Sequence, residues 1–552
     1  MYTIGVDFGT LAARALVVEV ESGRELASAT MNYPHAVMTD ALPDGTPLPA
    51  DWALQHPQDY LDCLRYIVHE AVRMARVDPK DVIGLGVDFT ASTTFPVDRD
   101  AEPLCLKAEF SSNPYAWVML WKHHAAQKYA DRMTEMARAE GLRFVEKCGG
   151  RISSELMFPR LWQIAVEAPD VYEVADAFIE AGDWLTRKMT GSTIRSANPA
   201  AYKLFWNPHD GYPSPEFLAK MDPKLASVSE KLTGELRMLG SKAGELNEYG
   251  AELTGLCPGT AVSVTCIDAH MALPAANVVE AGTMLLILGT SGAHLVLDGE
   301  EHDIPGLLCM AEDGMIPGWY AYEAGQSCCG DHFQWFVENC VPASYAREAE
   351  ERGMGIHQLL TEKASKLCPG ENGLIALDWW NGNRSVLMDS EISGMLVGMT
   401  LQTRPEEIYR ALIEATAYGT RVIVENFEMH GVQIRQINVC GGIAKKNPML
   451  MQIYADVLGR RLNIVKSEQT TALGSAIMGA VAAGKDAGGY DSIREAALAM
   501  GGTDDKAYEP DDASQQVYEA LYQEYLLLHD WFGRGGNDVM KRLKAIRRKQ
   551  QA

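Results

Sequence analysis

Short apolar runs alternate with amphipathic stretches along most of the chain, which is the pattern of a mixed α/β protein. Apolar or β-branched runs indicate strands, and apolar positions that recur every three to four residues indicate helices. In the first half, the pattern predicts strands at residues 2–8, 14–21, 24–33 and 82–89, and a helix at residues 57–76. In the second half, it predicts strands at residues 283–288, 293–297, 436–440 and 462–465, and helices at residues 406–429, 449–459 and 471–484.

The two halves repeat one order of elements. Each begins with a strand, a turn containing Gly-Thr and a return strand, and each later has a helix leading into a strand that ends in small residues. Because ligands of α/β sheets bind at the carboxyl ends of strands, the repetition predicts two related domains with both turns at a shared cleft. We place the boundary near residue 265, giving domains at residues 1–265 and 266–552. A charged helical tail is predicted from about residue 511 and is expected to present a solvated face.

Length and charge agree with this division and exclude several classes of partner. A chain of 552 residues exceeds what one ordinary hydrophobic core supports. The net charge of −25 disfavours nucleic acid and anionic lipid, so we expect neither a nucleic-acid nor a membrane partner. An anionic nucleotide remains compatible, since backbone amides and a bound Mg²⁺ create a local positive site.

The cysteines and the N-terminal segment indicate a reducing compartment. The 11 cysteines include no Cys-x-x-Cys pair, so reduced and mostly buried thiols are expected, with no disulfide between the adjacent Cys328 and Cys329. No apolar stretch of signal length follows Met1, and no run approaches the length of a membrane span. A cytoplasmic protein is therefore expected.

Two glycine turns are candidates for phosphate binding. One comprises residues 7–10, Asp-Phe-Gly-Thr, and the other comprises residues 289–292, Gly-Thr-Ser-Gly. Glycine lets a backbone approach a phosphate closely, threonine adds a hydroxyl, and Asp7 could hold Mg²⁺ through water. Each turn taken alone is better explained as an ordinary hairpin turn. Their matched positions in the two halves favour phosphate binding.

Two further segments carry candidate chemistry. Asp268 could accept the proton of an attacking hydroxyl, or it could cap a helix that starts at Ala269, and the two roles are compatible. The glycine pair Gly441-Gly442 could offer a flat surface to an adenine or ribose ring, or it could simply form a tight strand-to-helix turn. The residues alone leave both pairs of alternatives open.

Together these segments resemble the FGGY family of carbohydrate kinases over nearly the whole chain. Residues 7–10 and 289–291 resemble the two phosphate motifs of the family, and Asp268 falls where the family has its catalytic base. Residues 441–458 and 471–476 resemble its nucleotide-side signature. The resemblance implies two ribonuclease H-like domains of the actin, hexokinase and chaperone-ATPase superfamily that flank a catalytic cleft, with ATP and Mg²⁺ as cofactors.

Within the family, residues 120–124, 155–160 and 322–327 resemble the branch that phosphorylates L-ribulose. The resemblance implies transfer of a phosphoryl group from ATP to the terminal hydroxyl of this ketopentose, in L-arabinose catabolism, with Asp268 as the catalytic residue. It assigns substrate contacts to Ala91, Trp121, Lys203, Asp268 and Glu323. It assigns ATP and phosphate contacts to Gly9, Thr10, Arg14, Gly289, Thr290, Gly441, Gly442 and Lys445, and the metal to Asp7.

Two positions depart from the family pattern. Ala12 stands where the family often has Ser, and Gly292 stands where this branch often has Thr. Both changes are expected to alter affinity without abolishing activity, because the backbone amides remain. The alternatives are an FGGY kinase acting on D-ribulose, xylulose, glycerol or gluconate, an actin- or chaperone-like ATPase switch, or a sugar sensor. The sequence does not fix the oligomeric state, and a homodimer stays open.

Overall fold

The computed structural model describes residues 1–551, and two seven-stranded sheets form its framework. The strands of the first part are β1 (Tyr2–Phe8), β2 (Ala12–Glu19), β3 (Glu25–Asn32), β4 (Leu54–Gln55), β5 (Val82–Phe89), β6 (Thr94–Val97), β7 (Val118–Met119), β8 (Ala177–Glu180), β9 (Arg195–Ser196), β10 (Leu236–Arg237), β11 (Lys242–Glu245), β12 (Ala261–Ser263) and β13 (Cys266–Ile267). Those of the second part are β14 (Thr283–Leu288), β15 (Gly292–Asp298), β16 (Cys309–Glu312), β17 (Tyr320–Gln326), β18 (Ile375–Leu377), β19 (Met395–Val397), β20 (Gln436–Cys440), β21 (Leu462–Val465) and β22 (Thr503–Tyr508).

Twenty helices cover the sheets and connect them within residues 1–551. The helices before the second sheet are α1 (Pro57–Ala75), α2 (Gln127–Ala139), α3 (Arg143–Glu146), α4 (Met157–Glu167), α5 (Pro169–Val174), α6 (Ala181–Thr190), α7 (Ala197–Leu204), α8 (Pro215–Met221), α9 (Glu248–Thr254) and α10 (Asp268–Ala275). The remaining helices are α11 (Gly330–Cys340), α12 (Ala343–Glu351), α13 (Ile356–Ala364), α14 (Pro405–Met429), α15 (Gly442–Lys446), α16 (Pro448–Leu458), α17 (Thr470–Ala483), α18 (Ile493–Met500), α19 (Asp512–Gly533) and α20 (Val539–Gln551). None of them combines the length and the apolar character needed to cross a membrane.

The sheets share one arrangement, in which an antiparallel hairpin lies beside parallel strands. The first sheet has the order β11-β12-β5-β1-β2-β3, with β13 also paired to β5, and β1 runs parallel to β5. The second has the order β16-β17-β15-β14-β20-β21-β22, and β14 runs parallel to β20. The carboxyl ends of β1, β5 and β13 therefore meet at one edge, as do those of β14 and β20.

The hairpins are tighter than their apolar pattern indicates. Phe8 pairs with Ala13, so β2 begins at Ala12, two residues before the predicted start. The second hairpin likewise pairs Leu288 with Gly292. In both hairpins the return strand starts directly after the glycine turn, which leaves the turn at the end of the ladder.

Helix α17 belongs to the second part of the chain but packs on the first sheet. It lies across β1 and β5, and it also contacts α10. The approach is so close that a Cβ on Gly5 of β1 would overlap the carbonyl oxygen of Ala472. The small residues of α17 thus let one helix join the two parts, a placement that helical periodicity alone does not indicate. The division at residue 265 stays a prediction.

The tail is only partly a solvated face. Tyr518, Tyr522 and Tyr525 of α19 are almost completely buried, and the hydroxyl of Tyr525 donates to Asp378 at 2.9 Å. The expectation of a solvated face is therefore wrong for α19, because tyrosines at three- and four-residue spacing pack against α14 and α16.

Candidate active site

A cavity of about 990 Å³ lies between the two parts of the chain. Its walls include Thr10 after β1, Ala91 after β5, Asp268 at the start of α10, Thr290 between β14 and β15, and Glu323 on β17. Trp121 and Lys203 line the same cavity. The fold thus brings together all five residues predicted to contact the substrate, although up to 232 positions separate them in the sequence.

Asp268 is the first residue of α10 and does not cap it. The capping position is Ile267, and the Oδ1 atom of Asp268 accepts the N–H of Ala269 at 2.7 Å. Burial and the negative charge of Asp7 raise the pKa of Asp268 to about 7. A carboxylate with this pKa is matched to accepting a proton near neutral pH.

Three carboxyl groups converge at the carboxyl ends of β1, β5 and β13. Asp7 and Asp88 are register partners on β1 and β5, and Asp268 follows β13 directly. Burial and the charge of Asp7 raise the pKa of Asp88 well above its ordinary value, and Ser475 donates to Asp88 at 2.6 Å. Mg²⁺ prefers oxygen ligands and keeps part of its water shell, so Asp7 and Asp268 fit a divalent cation that is held partly through water.

Asp7 is fixed from two directions. Its Oδ2 atom accepts the hydroxyl of Thr471, from α17, at 2.9 Å and lies 3.3 Å from Nε of Arg14. The Nη1 atom of Arg14 reaches Gln469 at 3.4 Å. Arg14, predicted to contact phosphate, therefore already holds a carboxylate, and only its exposed edge remains for a ligand.

Glu323 and Lys203 form the polar side of the cavity away from Asp7. His270, Lys203 and Arg384 outweigh burial and hold the pKa of Glu323 down at about 2, so this carboxylate is ionised at neutral pH. Burial lowers the pKa of Lys203, but the charge of Glu323 outweighs it, and the net shift is upward. An ammonium and a carboxylate are thus both charged and both face the cavity, as the hydroxyls of a polyol require.

A buried network links Glu323 to the strand that precedes Asp268. The Nε2 atom of His270 lies 3.3 Å from Glu323, and Nδ1 of the same ring lies 3.0 Å from the amide nitrogen of Asn198. Asn198 in turn accepts the N–H of Ile267 at 2.9 Å. The sequence predicted Glu323 as a substrate contact but did not predict this network, because Asn198 and His270 come from α7 and α10, far from Glu323 along the chain.

Arg160 positions the two loops that carry Ala91 and Trp121. Its guanidinium is almost fully buried and donates to the carbonyl oxygens of Ser92 at 2.5 Å and Leu120 at 2.8 Å. Burial lowers its pKa to about 10, so it stays charged at neutral pH. The Nε1 atom of Trp121 donates to the hydroxyl of Thr10 at 3.1 Å, which joins the sugar-side loop to the first phosphate turn.

The two glycine turns use their amides in the same way. The N–H of Gly9 donates to Ala12 at 3.0 Å, and the N–H of Gly289 donates to Ser291 at 3.0 Å. These two amides therefore close the turns. The threonine that follows each glycine, Thr10 or Thr290, lines the cavity instead.

The predicted nucleotide segment adjoins the second turn. Gly441 has a φ of 100°, and a Cβ there would overlap the carbonyl oxygen of Leu288. Gly442 is exposed at the start of α15. The ammonium of Lys445 donates to the carbonyl oxygen of Lys466. Gly9, Gly289 and these three residues lie beside the cavity and do not line it.

A second group of metal-ligand residue types lies outside the cleft. Within residues 1–551, the potential metal ligands whose ligand atoms all approach one another closely are His35, His56 and Asp59. The two imidazole rings stack 4.3 Å apart at an angle of 16°, so their in-plane lone pairs run nearly parallel and do not converge on one ion. This group therefore does not form a metal site as it stands.

Comparisons with known proteins agree with the fold. Residues 2–274 match the N-terminal domain of the FGGY family of carbohydrate kinases, and residues 284–483 match its C-terminal domain. The chain is 50% identical over 548 residues to a protein named Ribulokinase from Halalkalibacterium halodurans, covering 99% of this chain and 97% of that protein. It is also 50% identical to a Ribulokinase from Geobacillus thermodenitrificans, covering 98% and 96%.

Solved structures share the architecture at low sequence identity. A xylulose kinase from Rhodospirillum rubrum superposes with a TM-score of 0.79 at 22% identity, covering 96% of this chain and 98% of that one. A gluconate kinase from Lactobacillus acidophilus gives a TM-score of 0.80 at 17% identity, covering 97% and 98%. These solved structures show the two-domain fold. Membership of the family is shown by the family models and by the relatives with half of their residues identical. The chain belongs to the FGGY family of carbohydrate kinases.

Proposed function

We propose that the protein transfers the γ-phosphoryl group of ATP to the terminal primary hydroxyl of L-ribulose, giving L-ribulose 5-phosphate, in L-arabinose catabolism. The observation that carries the proposal is the cavity, in which a carboxylate with a pKa of about 7 faces an ammonium, an ionised carboxylate and an indole ring. Identity of 50% over nearly the whole length to proteins named Ribulokinase supports the choice of sugar. The eleven cysteines, all free thiols, support a cytoplasmic location.

In the proposed reaction, Asp268 accepts the proton of the sugar hydroxyl while the oxygen attacks the γ-phosphorus. Lys203 and Glu323 orient the sugar through charged hydrogen bonds, and Trp121 covers its C–H face. Asp7 and its neighbouring carboxyl groups would hold Mg²⁺, which when bound neutralises phosphate charge. Most of the acceleration then comes from positioning and electrostatics.

The experiment is a coupled ADP-release assay with MgATP and a panel of acceptors. The panel contains L-ribulose, D-ribulose, L-xylulose, D-xylulose, ribitol, L-arabitol, glycerol and gluconate, with a control lacking sugar. We expect the highest kcat/KM with L-ribulose and almost no ADP release without sugar, because closure of the cleft keeps water from the phosphoryl group. Preference for another polyol would replace the substrate and keep the mechanism. Sugar-independent turnover would instead favour an ATPase switch.

A further inference from the structure

Arg384 reaches the cavity from a loop of the second part that sequence reasoning did not single out. The loop connects β18 to β19, and Arg384 lines the cavity together with Asp268 and Thr290. Asn383 and Asp389 exchange backbone hydrogen bonds of 2.9 Å across the loop. Arg384 is therefore carried by an ordered segment.

The loop is attached to β17 next to Glu323. The N–H of Ser385 donates to the carbonyl oxygen of Gly325 at 3.0 Å, and the N–H of Gly325 lies 3.2 Å from the hydroxyl oxygen of Ser385. A Cβ placed on Gly325 would lie 3.2 Å from Cδ of Arg384 and 3.2 Å from the carbonyl oxygen of Gly292. Because Gly325 has no side chain, the side chain of Arg384 can pass close to β17 at this position. The aliphatic part of the Arg384 side chain thus lies close to Gly325 of β17 and near Gly292 of the second glycine turn.

The charge of Arg384 has no close carboxylate partner. Within residues 1–551, no carboxylate oxygen lies within 4.0 Å of its guanidinium. The other cavity-lining cations are Lys203, which lies near Glu323, and Arg151, which pairs with Asp131 at 3.0 Å on the rim. The cavity also presents several carboxylates, so an entering phosphoryl group needs a cation that is not already paired.

We propose that Arg384 is a catalytic residue that donates hydrogen bonds to the phosphoryl group as it passes from ATP to the sugar. In this step the bond between the sugar oxygen and the γ-phosphorus forms and the bond from the γ-phosphorus to the β–γ bridging oxygen breaks. The hydroxyl proton goes to Asp268, and ADP leaves with the electron pair. A planar guanidinium matches phosphoryl oxygens with two parallel donors, which an ammonium cannot do. The proposal rests on the proposed kinase activity.

The test compares Arg384→Gln and Arg384→Lys with the wild-type enzyme. We expect kcat to fall about 10³-fold for the glutamine variant and by less for lysine, which keeps the charge without the fork. Sugar affinity, measured by tryptophan fluorescence without nucleotide, is expected to stay unchanged. Binding of ADP, Mg²⁺ and fluoroaluminate in the presence of sugar is expected to weaken in parallel with kcat. Free guanidinium is expected to restore part of the kcat of Arg384→Ala.

Arg73→Gln on α1 is the matched control, since Arg73 is an exposed arginine that is paired with Glu70 and does not line the cavity. It is expected to keep its kcat. Loss of sugar affinity in Arg384→Lys with kcat retained would overturn the proposal, because the arginine would then serve the sugar in its ground state. Unchanged kcat in both variants would overturn it as well. If the wild-type enzyme itself releases no ADP with any sugar, the proposed function fails first and the role of Arg384 falls with it.

Discussion

At the scale of single residues, acidic side chains lie close together at the cavity. Asp7, Asp88 and Asp268 lie at neighbouring strand ends, and burial together with the negative charge of Asp7 raises the pKa of Asp88 and of Asp268. The pKa of Asp268 is about 7, so this carboxyl titrates near neutral pH. A base of this kind is ionised when the enzyme works and basic enough to accept a proton.

The variant Asp268→Asn tests the role of this carboxylate. We expect kcat to fall by about 10²–10⁴-fold, because the amide cannot accept the hydroxyl proton. The melting temperature at pH 8 is not expected to fall. The folded-state pKa of about 7 lies above the ordinary 3.8, so the fold loses stability as the pH rises from 3.8 to about 7, and at pH 8 asparagine removes the buried charge that causes this loss. A kcat above about a tenth of the wild-type value would contradict the assignment, and Asp505→Asn on exposed β22 is the control for a general charge effect.

The pH profile gives a second test of the same group. If Asp268 is the general base, activity requires its ionised form, and kcat/KM for MgATP at fixed sugar is expected to fall as the pH drops through about 7. This parameter reports the enzyme before the nucleotide and its metal bind. An acid limb near 4, the ordinary value of an aspartate, would show that burial and Asp7 do not govern this carboxyl. The limb is expected to disappear from the residual activity of Asp268→Asn.

At the scale of elements, the C-terminal helix holds the loop that carries Arg384. Lys541 lies 2.7 Å from Asp389, Arg548 lies 2.7 Å from Glu391, and Lys544 donates to the carbonyl oxygen of Ser390 at 2.7 Å. Three basic residues of α20 thus attach to the loop that lines the cavity, and two of their partners, Ser390 and Glu391, line the cavity themselves. These three contacts between α20 and the loop form a brace that holds the cavity-lining loop in place.

Replacing Lys541, Lys544 and Arg548 together by glutamine tests this brace. The change removes two exposed ion pairs and one hydrogen bond to a carbonyl oxygen, contacts that are individually weak, so we expect it to loosen the loop without unfolding the chain. If the loop must be ordered for transfer, kcat is expected to fall about tenfold. High salt is also expected to lower the kcat of the wild-type enzyme, because salt screens exposed ion pairs. The double variant Arg547→Gln, Lys549→Gln removes charge from the same helix without touching the loop, and equal losses in both variants would contradict the brace.

Sequence reasoning predicted the elements with strong local patterns and missed those set by distant pairing. The strands and turns around Gly9 and Gly289 follow from apolar runs that end in glycine, and they lie where expected. Trp121 and Lys203 were predicted as site residues only from the family resemblance, because a single aromatic residue or lysine is compatible with many environments. The contact between Asn198 and His270 spans 72 positions, and Arg384 reaches Gly325 across 59. No local pattern encodes such contacts.

At the scale of the whole molecule, the two parts are joined by more than the chain between them. Helix α17 continues from the second sheet, yet it covers β1 and β5 of the first, and its Thr471 and Ser475 hold Asp7 and Asp88. The group of three acids is therefore held in place by residues from both parts. Separation of the parts would dismantle the site as well as expose apolar surface.

The variant Gly5→Ala tests this coupling in the full chain. A methyl group at residue 5 would overlap the carbonyl oxygen of Ala472, and overpacking of this kind costs about 1–3 kcal/mol. Calorimetry is expected to show one transition, shifted to lower temperature as a whole, because displacing α17 loosens the first sheet and the helix of the second part together. Gly355→Ala is the matched control, since a Cβ there meets nothing within 4 Å. Two separate unfolding transitions, of which only one shifts, would mean that the two parts unfold independently and that α17 does not couple them. A single shifted transition together with a reduced kcat would mean that the stability of the whole molecule depends on the packing that also fixes Asp7.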